Sequence, residues 1–344
     1  MRLAIAPRRL RLKTPLETAH GTVAERELLD VLVFGADGVA GAGEAAPLTS
    51  YDGVELDDVH AALEDCRPIL REAEGLPRAQ ILAECRSAAV LPQAIAAIDL
   101  ALWDREGRRA GVPVAELLGA HGGAAVAVNA LIGATDRAGA AAEAAAAVAR
   151  GFRCLKLKVG IGDDAGRLAA VRAAVGADVA LRVDANGAWT TVEEALANLR
   201  ALEPVGIELC EEPVHGVEQL RAVQADAPDG MTIAIDESAA GPGAVEAGAT
   251  RAVCLKLSRC GGISGLIEAA ERARAAGSEV YLASTLDGPL GIAGALHAAA
   301  ALGPLRPCGL ATLDGFDGLD LDPALAVRDG VMRVPTGPGL GVRA

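Results

Sequence analysis

Six charged residues recur at intervals that suit a single reactive centre. Lys156 and Lys158 stand two apart in the apolar run "CLKLKVG", followed by Asp184 in "RVDAN", Glu211 in "LCEEP", Asp236 in "AIDES" and Lys256 in "CLKLS". From Lys158 onward the spacings are 26, 27, 25 and 20 residues, each about one strand plus one helix. Alternate residues of a strand share a face, so Lys156 and Lys158 point one way while Leu155, Leu157 and Val159 point the other. A lone Asp at a strand end is as readily a turn or a helix cap. Acids and lysines at the same phase of successive units are not explained by capping. Three carboxylates from neighbouring strands, with no His or Cys in the set, suit a hard dication, Mg²⁺, with Mn²⁺ as the alternative.

That arrangement predicts proton abstraction next to a carboxylate. Lysines on the second and sixth strands of a barrel lie on opposite sides of its axis, so each faces one side of a substrate α-carbon. A metal on the substrate carboxylate stabilises the enediolate left when the α-proton departs, and nearby cations can keep a lysine pKa low enough for a base. Two lysines in an apolar strand then have a chemical reason to be buried.

The elements needed to hold these residues are legible. From about residue 120 the chain alternates β-like runs with Ala-rich helical stretches: "AVAVNALIG", "FRCLKLKVG", "VALRVDANG", "GIELCEEP", "TIAIDES", "RAVCLKLS", "EVYLAST" and "RPCGLAT", with helices over 136–150, 190–202 and 262–276 among the gaps. Eight such strands predict a parallel α/β barrel, although an open doubly wound sheet has the same local pattern. The first ~115 residues read differently. "LLDVLVFGADGVAGAGEAAP" predicts two antiparallel strands around an Asp-Gly turn, and helices follow over 54–74 and 79–107, making an α+β cap. The expected domains are a cap over 1–118, a barrel over 119–320 and a tail, 321–344, returning to the cap.

Composition narrows the classes. The 344 residues are 51% apolar, enough for a large core, and the net charge of −14 would repel a phosphate backbone or an anionic membrane. The basic start lacks the apolar stretch of a signal peptide, and no window has a spanning pattern, so the expectation is a soluble cytoplasmic protein without membrane or nucleic-acid partners. A homo-oligomer is compatible with it. The seven cysteines (66, 85, 154, 210, 254, 260 and 308) are scattered, with no CxxC pair, and read as small core residues rather than as a catalytic thiol.

Together "KLK" at 156–158, "DAN" at 184–186, "EEP" at 211–213, "DES" at 236–238 and "LKLSRCGGI" at 255–263 resemble the enolase superfamily, muconate-lactonizing-enzyme subgroup, across essentially the whole chain. The resemblance implies a modified TIM barrel, (β/α)7β, behind an N-terminal α+β capping domain. It implies Asp184, Glu211 and Asp236 as metal ligands, Lys158 and Lys256 as the lysines facing substrate, and Lys156 as their electrostatic support; the choice of Glu211 over Glu212 comes from the family motif.

The subgroup's reactions include dehydration to o-succinylbenzoate, dipeptide epimerisation, N-acylamino acid racemisation and muconate cycloisomerisation. Dipeptide epimerases of the family carry an Asp-x-Asp at the eighth strand end to hold an ammonium. Gly309 and Ala311 fall there in this chain, and Asp320 and Asp322 come later, in an expected solvated turn. "PLETAHGTVAERELL", "GEAAPLTSYDG" and "GLATLD" resemble o-succinylbenzoate synthases, which favours dehydration in a menaquinone-type pathway, with epimerase or racemase as the alternative. Cap segments 18–22 and 47–51 would close over the barrel mouth, bringing Thr18, His20 and Tyr51 to the substrate. Asn186 and Glu237 adjoin the ligands and would support them. Ser284 and Thr285 could bond a distal substrate group or cap the next helix, and Arg182 could approach the site or pair inside the barrel. A barrel that binds a small anion without turning it over is the rival from another class, against which the complete set of acids and lysines argues.

Overall fold

The computed structural model describes residues 1–18, 21–303 and 305–343. Three antiparallel strands open the chain: β1 (Arg2–Thr18), β2 (Gly21–Phe34) and β3 (Ala40–Ala45). The Asp-Gly turn joins β2 to β3 as expected, closed by the Gly35 N–H donating to the Val39 carbonyl at 3.0 Å. Five helices follow: α1 (Thr49–Asp52), α2 (Leu56–Glu72), α3 (Arg78–Ala88), α4 (Pro92–Ala110) and α5 (Val114–Leu117). The helix expected over 79–107 is two, because Pro92 disfavours helical backbone at Leu91 and opens α4 as its first residue. α4 is buried along most of its length. It lies directly on β3, where a Cβ on Gly43 would sit 2.0 Å from the Ala97 carbonyl oxygen, so that strand can approach the helix only as glycine.

The second layer of the molecule is the curled parallel sheet. After the short β4 (Ala125–Ala127), which lies outside it, the sheet begins at β5 (Ala130–Ile132), then runs α6 (Arg137–Ala149), β6 (Cys154–Lys158), α7 (Asp164–Val175), β7 (Ala180–Asp184), α8 (Val192–Leu202), β8 (Ile207–Glu211) and α9 (Val217–Asp226). After β9 (Thr232–Ile235) come β10 (Ala252–Lys256), α10 (Leu257–Cys260), α11 (Gly262–Ala275), β11 (Glu279–Ala283) and α12 (Pro289–Leu302). Asp136, Asp163 and Thr191 cap α6, α7 and α8 through their side chains.

Strands β5 to β11 form one seven-stranded sheet in chain order, consistent with a modified TIM barrel behind a capping domain. The eighth expected strand is reduced to two bridges, Cys308 to Val128 and Gly309 to Ala283, which draw the two sheet edges together. Pro307 has no N–H to donate, and the chain turns away where the Thr312 N–H donates to the Leu310 carbonyl, so no longer strand forms. Two short strands complete the order: β12 (Phe316–Asp317) joins the cap sheet beside β1, and β13 (Val331–Arg333) pairs antiparallel with β4. No helix among the described residues is long and apolar enough to cross a membrane.

Leu155 and Leu157 are fully buried in the main core, while Lys156 and Lys158 line the pocket at the barrel mouth. The alternation read from "CLKLKVG" therefore sets the barrel's two faces.

Candidate active site

The register of the parallel sheet brings the charged residues level. Lys158 pairs with Asp184, and Asp184 with Glu211. The second pairing depends on an irregularity: Leu181 aligns with Ile207 but Arg182 aligns with Leu209, so Glu208 is skipped. Without that bulge Asp184 would align with Cys210, and Glu211 would turn toward the helices. Asp236 follows the last residue of β9, and Lys256 ends β10.

The lysines are held by the acids. The Lys156 ammonium bridges Asp184, at 2.8 Å, and Glu211. Lys158 Nζ donates to Asp184 Oδ2 at 2.7 Å and to Asn186 Oδ1 at 2.6 Å. Lys256 Nζ pairs with Asp236 and donates to the Tyr51 hydroxyl at 2.7 Å, while that hydroxyl donates to Asp236 Oδ1 at 2.8 Å. Tyr51 thus ties the cap to the barrel lysine.

The acids dominate the electrostatics around the lysines. Burial opposes charge on Lys156 and Lys256, but Asp184 and Glu211 around the first, and Asp236 beside the second, outweigh it and hold both above their ordinary value. For Asp184, burial is overcome by Lys156 and Lys158, and for Asp236 by Lys256, so both acids are pulled down. Glu211 goes the other way: burial and the neighbouring Asp184 and Asp236 outweigh Lys156 and push it up. Burial, Asp236 and Asp184 push Glu237 up to about 8.

The remaining expected residues separate. Asn186 donates its amide to Glu237 Oε1 at 2.7 Å, so the two brace Lys158 from behind. Thr18 lines the pocket, and His20 lies outside the described residues. Ser284 also lines the pocket, its hydroxyl 3.1 Å from that of Thr312. Thr285 lines it too, its hydroxyl donating to Asp287 Oδ1 at 2.6 Å, and neither residue caps α12, which starts after Gly288. Arg182 does not reach the pocket: one pleat below Asp184, it bonds Glu208 at 2.6 Å and the Pro307 carbonyl at 2.7 Å. Glu212, left open from sequence, turns away from the lysines and accepts the Asp236 and Ser238 N–H groups at 2.8 and 3.0 Å. Asp320 and Asp322 sit near Arg343 at 3.4 and 3.7 Å, away from the pocket.

Cys254 was missed. Its sulfur falls with carboxylate oxygens of Glu211 and Asp236 inside a 4.8 Å group, and the signal was its place two residues before Lys256, on the same strand face. Burial pushes its thiol far up, so it stays protonated beside the acids. Asn129, the polar residue within "AVAVNALIG", also lines the pocket.

The donor set fits a hard dication. Asp184, Glu211 and Asp236 are nearly wholly buried carboxylates with no imidazole among them, and a buried oxygen of Glu237 lacks a partner beside them.

With this geometry in place, the comparisons are consistent. The family model "Enolase C-terminal domain-like" matches residues 139–344, and "Mandelate racemase / muconate lactonizing enzyme, N-terminal domain" matches residues 1–119. The L-Lys-D/L-Arg epimerase of Methylococcus capsulatus is 34% identical, over 96% of this chain and 95% of its own length. The substrate-liganded L-Ala-D/L-Glu epimerase of Bacillus subtilis superposes with a TM-score of 0.90 at 29% identity, covering 99% of this chain and 98% of that one. The dipeptide epimerase of Enterococcus faecalis, complexed with Mg and L-Leu-L-Tyr, gives 0.88 at 28% identity, with 99% and 98% covered. The buried cluster and the Mg-bound relative support a divalent-metal cofactor, and fold and site together support enzymatic, metal-dependent enediolate chemistry. The non-catalytic barrel is set aside.

These relatives overturn the expected likeness to o-succinylbenzoate synthases. The segments that carried it do general structural work. The Thr22 hydroxyl donates to Glu17 at 2.9 Å, Glu44 accepts the Gly288 N–H at 2.7 Å, and Tyr51 holds Lys256, none of which is tied to dehydration.

Proposed function

We propose an activity from one premise: the chain belongs to the mandelate racemase / muconate lactonizing enzyme family of enolase-like proteins. The proposed reaction inverts the α-carbon of an amino acid derivative, a dipeptide or an N-acylated amino acid, by proton transfer between two lysines. The observation that carries it is the pair Lys158 and Lys256. They line one pocket from β6 and β10, strands separated by three others in the curled sheet, so a bound α-carbon would have an amine on each side.

In this reading Asp184, Glu211 and Asp236 hold the divalent ion, which when bound supplies positive charge against the negative charge gathering on the substrate carboxylate. One lysine, as free amine, takes the α-proton, and the other, as ammonium, delivers one to the opposite face. The reverse reaction exchanges their roles. Asn186 aims Lys158 and Tyr51 aims Lys256, each by a single hydrogen bond at 2.6 and 2.7 Å. Lys156, shared between Asp184 and Glu211, places a positive charge between those two acids. The partner is a small carboxylate. With a net charge of −14 the surface disfavours nucleic acid, and seven free thiols fit a cytoplasmic setting.

The test is proton NMR in D₂O with Mg²⁺ over dipeptides and N-acylated amino acids. Loss of the α-proton signal from both configurations, with interconversion between them, is expected. Exchange that leaves configuration untouched across the whole panel refutes the two-base reading.

A further inference from the structure

We infer that the substrate carries no charge on its nitrogen: it is an N-acyl amino acid whose apolar acyl chain, longer than acetyl, runs out of the catalytic pocket into a second cleft beside it. The inference rests on the two-base reading above and concerns what lies beyond the reacting carbon.

Charge is the first argument. Among the described residues lining the catalytic pocket, the charged ones are Lys156, Lys158, Asp184, Asp236 and Lys256, and all are bonded to one another or to Glu211. The rest of the lining is neutral. Leu16, Val23, Leu48, Leu131, Leu286 and Ala311 are apolar, and Asn129, Ser284 and Thr312 offer uncharged hydrogen-bonding groups suited to an amide. A free ammonium placed there would lose its water and gain no counter-charge, which is strongly unfavourable. An amide nitrogen carries no such penalty.

Space is the second argument. The catalytic pocket encloses about 110 Å³, below the ~300–1,000 Å³ usual for a small-molecule site. The adjoining cleft, of about 470 Å³, shares Leu16, Leu131, Leu286, Ala311 and Thr312 with it. It runs between β1, the end of β5 and the α6 face that carries Ala146 and Ala147, with Phe152 at its base. Together the two spaces reach the size of a small-molecule site, and four of the five residues they share, Leu16, Leu131, Leu286 and Ala311, are apolar.

The charges at the outer rim are already engaged. Arg150 Nη2 pairs with Asp314 at 2.5 Å, and Lys13 Nζ donates to the Asp314 carbonyl at 2.8 Å. Glu143 accepts the Gly133 and Ala134 N–H groups at 2.8 and 3.1 Å. Asp314 is paired by Arg150, Glu143 turns Oε2 to two backbone N–H groups, and the cleft between them offers surface to a hydrocarbon chain.

The experiment uses the full chain with Mg²⁺ in D₂O and follows α-proton exchange for alanine, methionine, leucine and phenylalanine, each presented as N-acetyl, N-octanoyl, N-succinyl and glycyl derivatives. Each buried methylene is worth about a fourfold gain in kcat/KM, so N-octanoyl is expected to exceed N-acetyl at least tenfold, with glycyl dipeptides slowest. Ala311→Asp, which places a carboxylate at the shared wall, is expected to raise glycyl exchange at least tenfold and to lower that of the N-octanoyl compounds. Equal rates for N-acetyl and N-octanoyl overturn the role of the cleft. Faster exchange with glycyl compounds overturns the uncharged nitrogen, and faster exchange with N-succinyl compounds overturns the apolar chain, either one leaving the two-base reading in place. No exchange with any compound overturns that reading, and the inference with it.

Discussion

Replacing Glu44 with Gln should make the protein more stable at alkaline pH. Glu44 is 2% exposed, on β3 of the cap, where it accepts the N–H of Gly288 just before α12 of the barrel. Burial and then the nearby Asp287 and Asp30 push its pKa up to about 8, from 4.5. One oxygen of Glu44 and one of Asp287 are buried without partners, as expected where a proton completes the arrangement. The folded protein therefore binds a proton that the unfolded chain has released between about pH 4.5 and 8. Stability falls as pH rises through that window, by about 1.4 kcal/mol per unit, and levels off above it. The difference between 4.5 and about 8 amounts to about 5 kcal/mol. Gln keeps an acceptor for the Gly288 N–H and cannot ionise. Urea unfolding followed by circular dichroism from pH 5 to 9 should show the wild-type midpoint falling and the variant's nearly flat, the variant being the more stable at pH 9. Parallel curves would show that Glu44 ionises normally in the folded state and would refute the reasoning.

Three further outcomes are expected. Lys158→Ala and Lys256→Ala should each reduce interconversion of configuration by about 10³-fold or more, yet each should keep deuterium exchange with one enantiomer, opposite between the two variants; loss of both exchanges in either variant contradicts a lysine on each face. Asp236→Asn should weaken Mg²⁺ binding by at least about 100-fold in calorimetry, and chelation of wild type should stop exchange until Mg²⁺ or Mn²⁺ is restored. Gly43→Ala should cost about 3 kcal/mol or more, because the new methyl would fall 2.0 Å from the Ala97 carbonyl oxygen; an unchanged melting temperature would show that the cap strand can move off α4.

Much of the catalytic layer is legible because it is periodic. Lys156 and Lys158 alternate with buried Leu155 and Leu157, and the later acids and Lys256 recur at strand ends, so phase alone assigns them to one face. The helices expected over 136–150 and 190–202 likewise start close to α6 and α8, which Asp136 and Thr191 cap. Arg182 shows where that reasoning stops: it shares a strand with Asp184, but the direction of a long side chain depends on Glu208 and the Pro307 carbonyl, which lie elsewhere in the sequence. The substrate reading from cap segments failed for a related reason, since those residues hold the cap to the barrel, as Glu44 and Tyr51 do.

By itself the sequence determined the barrel with its cap, the family, and the acids and lysines at the mouth, all of which follow from local alternation and from motifs confined to a few residues. Tertiary structure alone decided the rest. The skipped Glu208 brings Glu211 level with Asp184, Tyr51 crosses 205 positions to reach Lys256, and Leu16 of the cap joins Leu131 and Ala311 of the barrel in one apolar wall. Register and distant contacts are set by how whole strands and domains pack, and local periodicity carries no record of that packing.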